Sequence, residues 1–244
     1  MKSAPPGEDN NMPAKSLPST PTVDQQRSFR CLWRIYTWSL GIEFVIVLGL
    51  AVALYGGIAD PPRAGPLLWE DDFKHATGRW ELHPPSKGWL AAYGGALVAE
   101  AGGGEEQCAW ALTPAPASDF TLEVAGAQTH GESSAVYGLV FDWQTADRYQ
   151  AVLVNGNGYA IAYRQNGATR QEWFSWQQWP HILVGSESNR VRVDVRGRQI
   201  TARVNDEYLA ATGRDMVGHR LGVMMCTTTP VQVVFSWVRL WALP

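Results

Sequence analysis

Seven aromatic side chains crowd the middle of the chain, at Trp143, Tyr149, Tyr159, Tyr163, Trp173, Trp176 and Trp179. Rings of this kind stack on the C–H faces of sugars while neighbouring Asp, Asn, Gln or Arg side chains fix hydroxyl groups, so the cluster points to glycan recognition. Counting alternate residues along extended segments puts Asp142, Gln150 and Arg164 on one face, with Tyr137, Leu139, Phe141 and Tyr163 on the other. The first face is taken as the open one. The candidate ligand-binding set is then Asp142, Gln150, Arg164, Trp173 and Trp176. Core packing and protein interfaces use the same residue types, so each ring also has a structural reading.

Other chemistry is sparse. The acidic clusters Glu70-Asp71-Asp72, Glu105-Glu106 and Asp206-Glu207 are adjacent in sequence, so on a strand their carboxylates point to opposite faces, and they read as solvated loop charges. Histidines at positions 75, 83, 130, 181 and 219 lack zinc-ligand spacing, and the three cysteines form no Cys-x-x-Cys pair. Gly156-Asn157-Gly158 joins two extended segments with no helix after it to receive a phosphate, which excludes a dinucleotide loop. No catalytic residue and no cofactor or metal is expected from these patterns.

What positions these residues begins with a run from Ile35 to Ala59 in which Glu43 is the only formal charge. At about 1.5 Å per residue the run crosses a hydrocarbon core of about 30 Å. Arg27, Arg30 and Arg34 precede it, while Asp60 and Glu70-Asp71-Asp72 follow, so the positive-inside rule places the N-terminus in the cytoplasm and the C-terminal part outside the cell membrane. Trp33, Tyr36, Trp38 and Tyr55 have the character of interfacial anchors. A cleaved signal peptide is the alternative, with small residues at Gly57-Ile58-Ala59, although the polar leader and the apolar run are both longer than such peptides have. Glu43 either snorkels to the near interface or meets another membrane helix.

Charge divides with the span. Residues 1–34 hold five Lys/Arg against three Asp/Glu, and residues 60–244 hold 15 against 19, so neither side offers a nucleic-acid surface. Cys31 lies on the cytoplasmic side, whereas Cys108 and Cys226 lie outside, where they either form a disulfide or act as small core residues.

Four regions follow: a cytoplasmic polar tail with a basic juxtamembrane stretch over residues 1–34, expected to be disordered; a transmembrane helix over 35–59; a proline-rich linker over 60–66; and an external domain over 67–244. Within the last, Phe120–Ala125, Ala135–Trp143, Tyr149–Val154, Tyr159–Arg164, Arg190–Val195, Gln199–Val204 and Val231–Trp241 alternate with a period of two, and Asn155-Gly156-Asn157-Gly158 supplies a tight turn. About ten to twelve strands in one domain predict an all-β, two-sheet antiparallel jelly-roll sandwich behind one N-terminal helix.

Trp69-Glu70-Asp71-Asp72-Phe73 with Gly78-Arg79-Trp80, Tyr137-Gly138-Leu139-Val140-Phe141, Asp147-Arg148-Tyr149, Asn157-Gly158-Tyr159, Asn189-Arg190-Val191-Arg192-Val193, Val204-Asn205-Asp206 and Leu221-Gly222-Val223 resemble the concanavalin A-like lectin/glucanase superfamily. The similar branch includes 3-keto-disaccharide hydrolase-like and laminin-G-like domains. The resemblance covers nearly all of residues 67–244 and speaks to fold more than to function. It implies that the first and last strands pair, bringing Trp69–Phe73 beside Val233–Trp241. Trp237 and Trp241 then either face the membrane or a membrane partner, or fill the core, since alternation places them with Val231, Val233 and Phe235. The Glu-x-Asp-x-(x)-Glu arrangement of the glucanases is absent. Calcium, bound by loop carboxylates in some relatives, would fall to Asp71, Asp72 or Asp206. The expected function is a non-catalytic accessory subunit of a larger membrane complex, contacting lipid and other subunits through Glu43, Trp33, Trp38, Tyr55, Trp237 and Trp241. A cell-surface glycan-binding module and a keto-disaccharide-type hydrolase are the alternatives.

Overall fold

In a computed structural model of the protein, residues 23–55, 64–75, 77–116 and 119–243 are described, with helix side chains described at Trp33 and over residues 35–52. The expected tail as far as residue 22, residues 56–63 with most of the linker, and the Tyr55 side chain lie outside them. The chain divides into two compact units, Met1–Ala59 and Asp60–Pro244.

In the first unit, helix α1 (Val23–Tyr55) starts twelve residues before the expected apolar boundary, so the basic stretch is helical. From Val23 onward no proline interrupts the run, and Gln, Arg, Leu and Trp are compatible with a continuous helix. Its Ile35–Val52 segment has a mean hydropathy of 1.9 and is the one described helix long and apolar enough to cross a membrane. Length, composition and position suit a membrane anchor or a signal sequence. Trp33 and Trp38 are exposed along it.

The second unit contains β1 (Leu67–Asp71), β2 (Glu81–His83), β3 (Gly88–Tyr93), β4 (Ala96–Ala101), β5 (Gln107–Pro114), β6 (Phe120–Gly131), β7 (Val136–Thr145), β8 (Arg148–Asn155), β9 (Tyr159–Asn166), β10 (Thr169–Gln178), β11 (Asn189–Arg196), β12 (Gln199–Val204), β13 (Glu207–Gly213), β14 (Arg220–Thr227) and β15 (Val231–Ala242). They form two antiparallel sheets. One has the order β13-β12-β11-β6-β15-β4-β3, with β1 also on β15, and the other the order β10-β9-β8-β7-β14-β5-β2. The architecture is the expected sandwich. Its strand count exceeds expectation because short, alanine- and glycine-rich segments such as β3 and β4 pair without a clean alternation of side chains.

The core between the sheets joins Tyr137, Leu139, Phe141, Val152 and Val154 to Phe120, Leu122, Val193, Val233 and Phe235. Sandwiches bury these two inner faces because each sheet alone would leave one apolar face in water. The first and last strands pair, with Leu67 opposite Trp241 and Asp71 opposite Val238. In the hairpin from β8 to β9, the Asn155 side-chain oxygen accepts the amides of Asn157 (3.1 Å) and Tyr159 (2.9 Å). Gly158 supplies the positive φ of 86° that the turn needs.

Strand β15 departs from strict alternation. Its register against β6 shifts between Phe235 and Trp237, so the inner residues are Val231, Val233, Phe235 and then Val238 and Leu240. The extra residue moves Trp237 and Trp241 off the core face, where period-two counting had grouped them, and leaves both half-buried.

Candidate functional site

The outer face of the seven-stranded sheet carries a second apolar layer. Register places Val140 opposite Ala151, Ala151 opposite Tyr163, and Tyr163 opposite Glu172, so these share a face. Leu112, Val140, Leu153 and Met224 lie there with 0–1% exposure, although among the described residues no further sheet packs on that side. Large rings cover them. Trp110 meets Trp143 at 5.5 Å, Trp143 stacks on Tyr149 at 5.2 Å, and Tyr149 meets Tyr163 at 6.0 Å. The Arg170 guanidinium sits 4.3 Å above the Tyr163 ring.

Beside this row of rings runs a trough of about 400 Å³. Val136, Leu153, Ile161 and the Cys108 and Cys226 pair provide apolar lining, Tyr149 and Tyr163 aromatic faces, and Glu106, Ser134, Arg170, Glu172, Thr227 and Thr228 polar groups. It crosses from β5 to β10, six strands at about 4.8 Å spacing, or ~24 Å. Trp176 lines it too, 43% exposed and stacked on Tyr159 at 5.3 Å with 15° between the planes. A partly open aromatic platform beside hydroxyls and both signs of charge suits a ligand with apolar faces and many hydroxyl groups.

Cys108 and Cys226 stand directly opposite on β5 and β14, and their sulfurs are bonded. Glu106 lies against the bridge, but bonded sulfurs present no thiolate to a metal. The carboxylates that a calcium site would use are engaged elsewhere. Asp71 accepts the Phe73 amide (2.8 Å), the Thr77 hydroxyl (2.9 Å) and the Trp80 indole N–H (2.9 Å), Asp72 pairs with Lys74, and Asp206 with Arg190.

Three of the expected ligand residues lie elsewhere. Gln150 pairs with Phe141 and with Arg164 in the ladder, so Gln150 and Arg164 share the face of Phe141 that was taken as closed. Parity within one strand says nothing about its neighbour; register decides it. Asp142 has a positive φ of 50° at the irregularity between Phe141 and Thr145, and it is buried with Gln150. Arg214 donates to Asp142 through its Nε (3.0 Å to Oδ2) and a terminal nitrogen (2.6 Å to Oδ1), and Gln150 donates to Oδ2 at 3.0 Å. Arg164 donates to Asp215 Oδ2 (3.0 Å) and to the Gly213 carbonyl (2.9 Å). These groups fasten the 213–219 loop. Trp173 packs half-buried against the inter-sheet core with Phe174 and Trp179, and Trp176 alone of the five expected residues lines the trough. Sequence reasoning missed Glu106, Arg170, Glu172 and the threonine pair. The spacing of Arg170, Glu172 and Trp176 along one strand was the available signal, blurred by two register shifts in β10.

Burial pushes the Tyr149 and Tyr163 phenols up, against the pull of Arg170 beside them, and burial raises Tyr137 in the inner core as well. A phenol whose folded pKa exceeds its unfolded value contributes stability below the unfolded pKa of about 10 and loses it as pH rises further. We therefore expect stability against urea to fall above about pH 10. Tyrosinate absorbance from these three residues should appear together with unfolding. Tyr149→Phe/Tyr163→Phe should flatten the decline; ionisation of all eight tyrosines before unfolding would contradict it.

The sandwich is similar in fold to the carbohydrate-binding module CBM66 of Bacillus subtilis, with TM-score 0.52 and 14% identity over 67% of this chain and 97% of that one. It is also similar to the carbohydrate recognition domain of Emp47p, with TM-score 0.54 and 12% identity over 75% and 99% of the two chains. A Bacillus subtilis protein of unknown function with a galectin-like fold gives TM-score 0.54 and 9% identity over 74% and 97%. No protein-family model matches the sequence, and no curated protein matches it. The fold is similar to a galectin-like β-sandwich, and the solved structures that share it include a carbohydrate-binding module and a carbohydrate recognition domain.

Proposed function

We propose that this chain is a membrane-anchored glycan-binding protein, its β-sandwich outside the cell and its N-terminus in the cytoplasm. The observation that carries the reading is the trough on the outer face of the seven-stranded sheet, where the partly exposed Trp176 ring stands beside Arg170, Glu172 and Glu106. Similarity of fold to carbohydrate-binding domains supports it. The bonded Cys108 and Cys226 favour an oxidising compartment, and the arginines ahead of the apolar span favour the same orientation in the bilayer.

Full-length protein in detergent, applied to a panel of neutral and acidic oligosaccharides, tests this. A subset of glycans should bind, with Trp176→Ala lowering affinity about tenfold or more and Tyr93→Ala, an exposed position at the end of β3, leaving it unchanged. A panel without a single binder, or equal binding by the Trp176 variant, would sink the reading. The hydrolase alternative gains no support from Asp142, the one carboxylate of the candidate ligand-binding set, which is buried and held by Arg214.

Glu43 supports a second reading. An ionisable side chain eight residues into the Ile35–Val52 span favours contact with another membrane helix, which would make the chain an accessory subunit of a larger complex. Native mass determination after gentle extraction should then find other membrane proteins in fixed ratio, and Glu43→Leu should release them. A lone monomer would remove this role and leave glycan binding untouched.

A further inference from the structure

We infer that the outer surface where β1 meets the end of β15 is a lipid-contact face that seats the sandwich on the bilayer. The inference rests on the reading of the apolar helix as a membrane anchor. Leu67 and Leu68 open the domain with 51% and 46% exposure and form part of an apolar patch with the tryptophans beside them. Leu67 pairs with Trp241, and the β15 bulge turns Trp237 away from the core as well. Two leucines and two half-buried tryptophans thus gather at the point where the chain enters the domain. Tryptophan is among the side chains enriched where lipid headgroups meet hydrocarbon.

Chain length favours lipid over other occupants. Twelve peptide steps separate Tyr55, the last helical residue, from Leu67, a reach of at most about 40 Å. An anchored chain holds this surface at high local concentration against the headgroups, so even a weak apolar contact is populated. The charge pattern fits a zwitterionic surface. Arg239 lies 4.2 Å above the Trp237 ring and is paired with Glu70 at 2.9 Å, so the charge beside the two tryptophans is balanced by its neighbour. A long arginine stem of this kind lies along apolar surface while its head stays at the polar boundary.

The test uses the full chain in phosphatidylcholine nanodiscs, in a Cys31→Ser background, with a fluorescent label at Leu68→Cys and, separately, at Val184→Cys in the loop beside the β8–β9 hairpin. Lipids carrying a nitroxide near the headgroup should quench the label at 68 severalfold more than the label at 184. Trp237→Ser/Trp241→Ser should abolish that difference, and added phosphatidylglycerol should not change it. Equal quenching at the two positions overturns the inference, as does a label at 68 that is immobilised yet unquenched, which would mean a protein occupant. Failure of the anchor reading is separate and visible, since a chain cleaved after Ala59 would leave the discs and lose the mass of its N-terminal segment.

Discussion

Replacing Asp142 with alanine is expected to destabilise the sandwich by about 3–5 kcal/mol, the cost of leaving the partner of a buried ion pair without its counter-charge. Arg214 would lose its acceptor while its side chain stays 13% exposed, and the Gln150 amide and the Gly218 N–H would lose theirs. The loop cannot relax freely, because the backbone at Gly218 lies so close to that of Asp142 that a Cβ there would come within 2.0 Å of the Asp142 carbonyl carbon. Asp142→Asn should cost less than Asp142→Ala. It keeps a hydrogen-bonding side chain and suits the left-handed conformation at φ 50°, which alanine does not. Adding Arg214→Met to the asparagine variant should recover part of the loss. Urea denaturation measures all three, and an alanine variant within about 1 kcal/mol of the parent would show that the pair is not what closes this end of the sandwich. Trp143, the next residue, stacks on the trough residue Tyr149, so glycan affinity should fall with stability.

Opening the Cys108–Cys226 bridge is the second large effect. The bond closes 118 residues of sequence, for which chain entropy alone predicts close to 5 kcal/mol; allowing for structure in the unfolded chain, about 3 kcal/mol is expected for Cys108→Ser/Cys226→Ser. For a domain of this size that is a fall in Tm of roughly 6–12 °C. Treatment of the parent protein with a thiol reductant should reproduce it and leave the double variant unaffected. The bridge also forms part of the trough lining, so the variant should bind glycan more weakly even at temperatures where it is fully folded. Identical melting with and without reductant would mean that the strands β5 and β14 hold their register unaided.

Much of the architecture was legible in the chain. The span around Glu43, the alternation in β7, β8, β9, β11 and β12, and the turn residues Asn155 to Gly158 are local signals, and each depends on interactions within a few residues. The candidate site was far less so. Trp176 was named, yet Asp142, Gln150 and Arg164 were assigned to the wrong surface, Glu106 was read as a solvated loop charge, and Arg170 and Glu172 were not singled out. The helix boundary shifted for a related reason: hydropathy marks where a helix is apolar, and the helix continues through polar residues that nothing interrupts.

From the sequence alone follow an apolar helix near the N-terminus, a second all-β unit, and an antiparallel meander at its centre, because periodicity and turn chemistry are properties of neighbouring residues. Which face of each strand looks outward was decided by the tertiary structure. Opposing Gln150 to Phe141, inserting an irregularity at Asp142, and shifting β15 after Phe235 each depend on pairings between distant segments. A slip of one residue in any of them exchanges the two faces of a strand. The trough exists because those registers turn Tyr149, Tyr163 and the cysteine pair to the same side of one sheet, and no window of sequence contains that information.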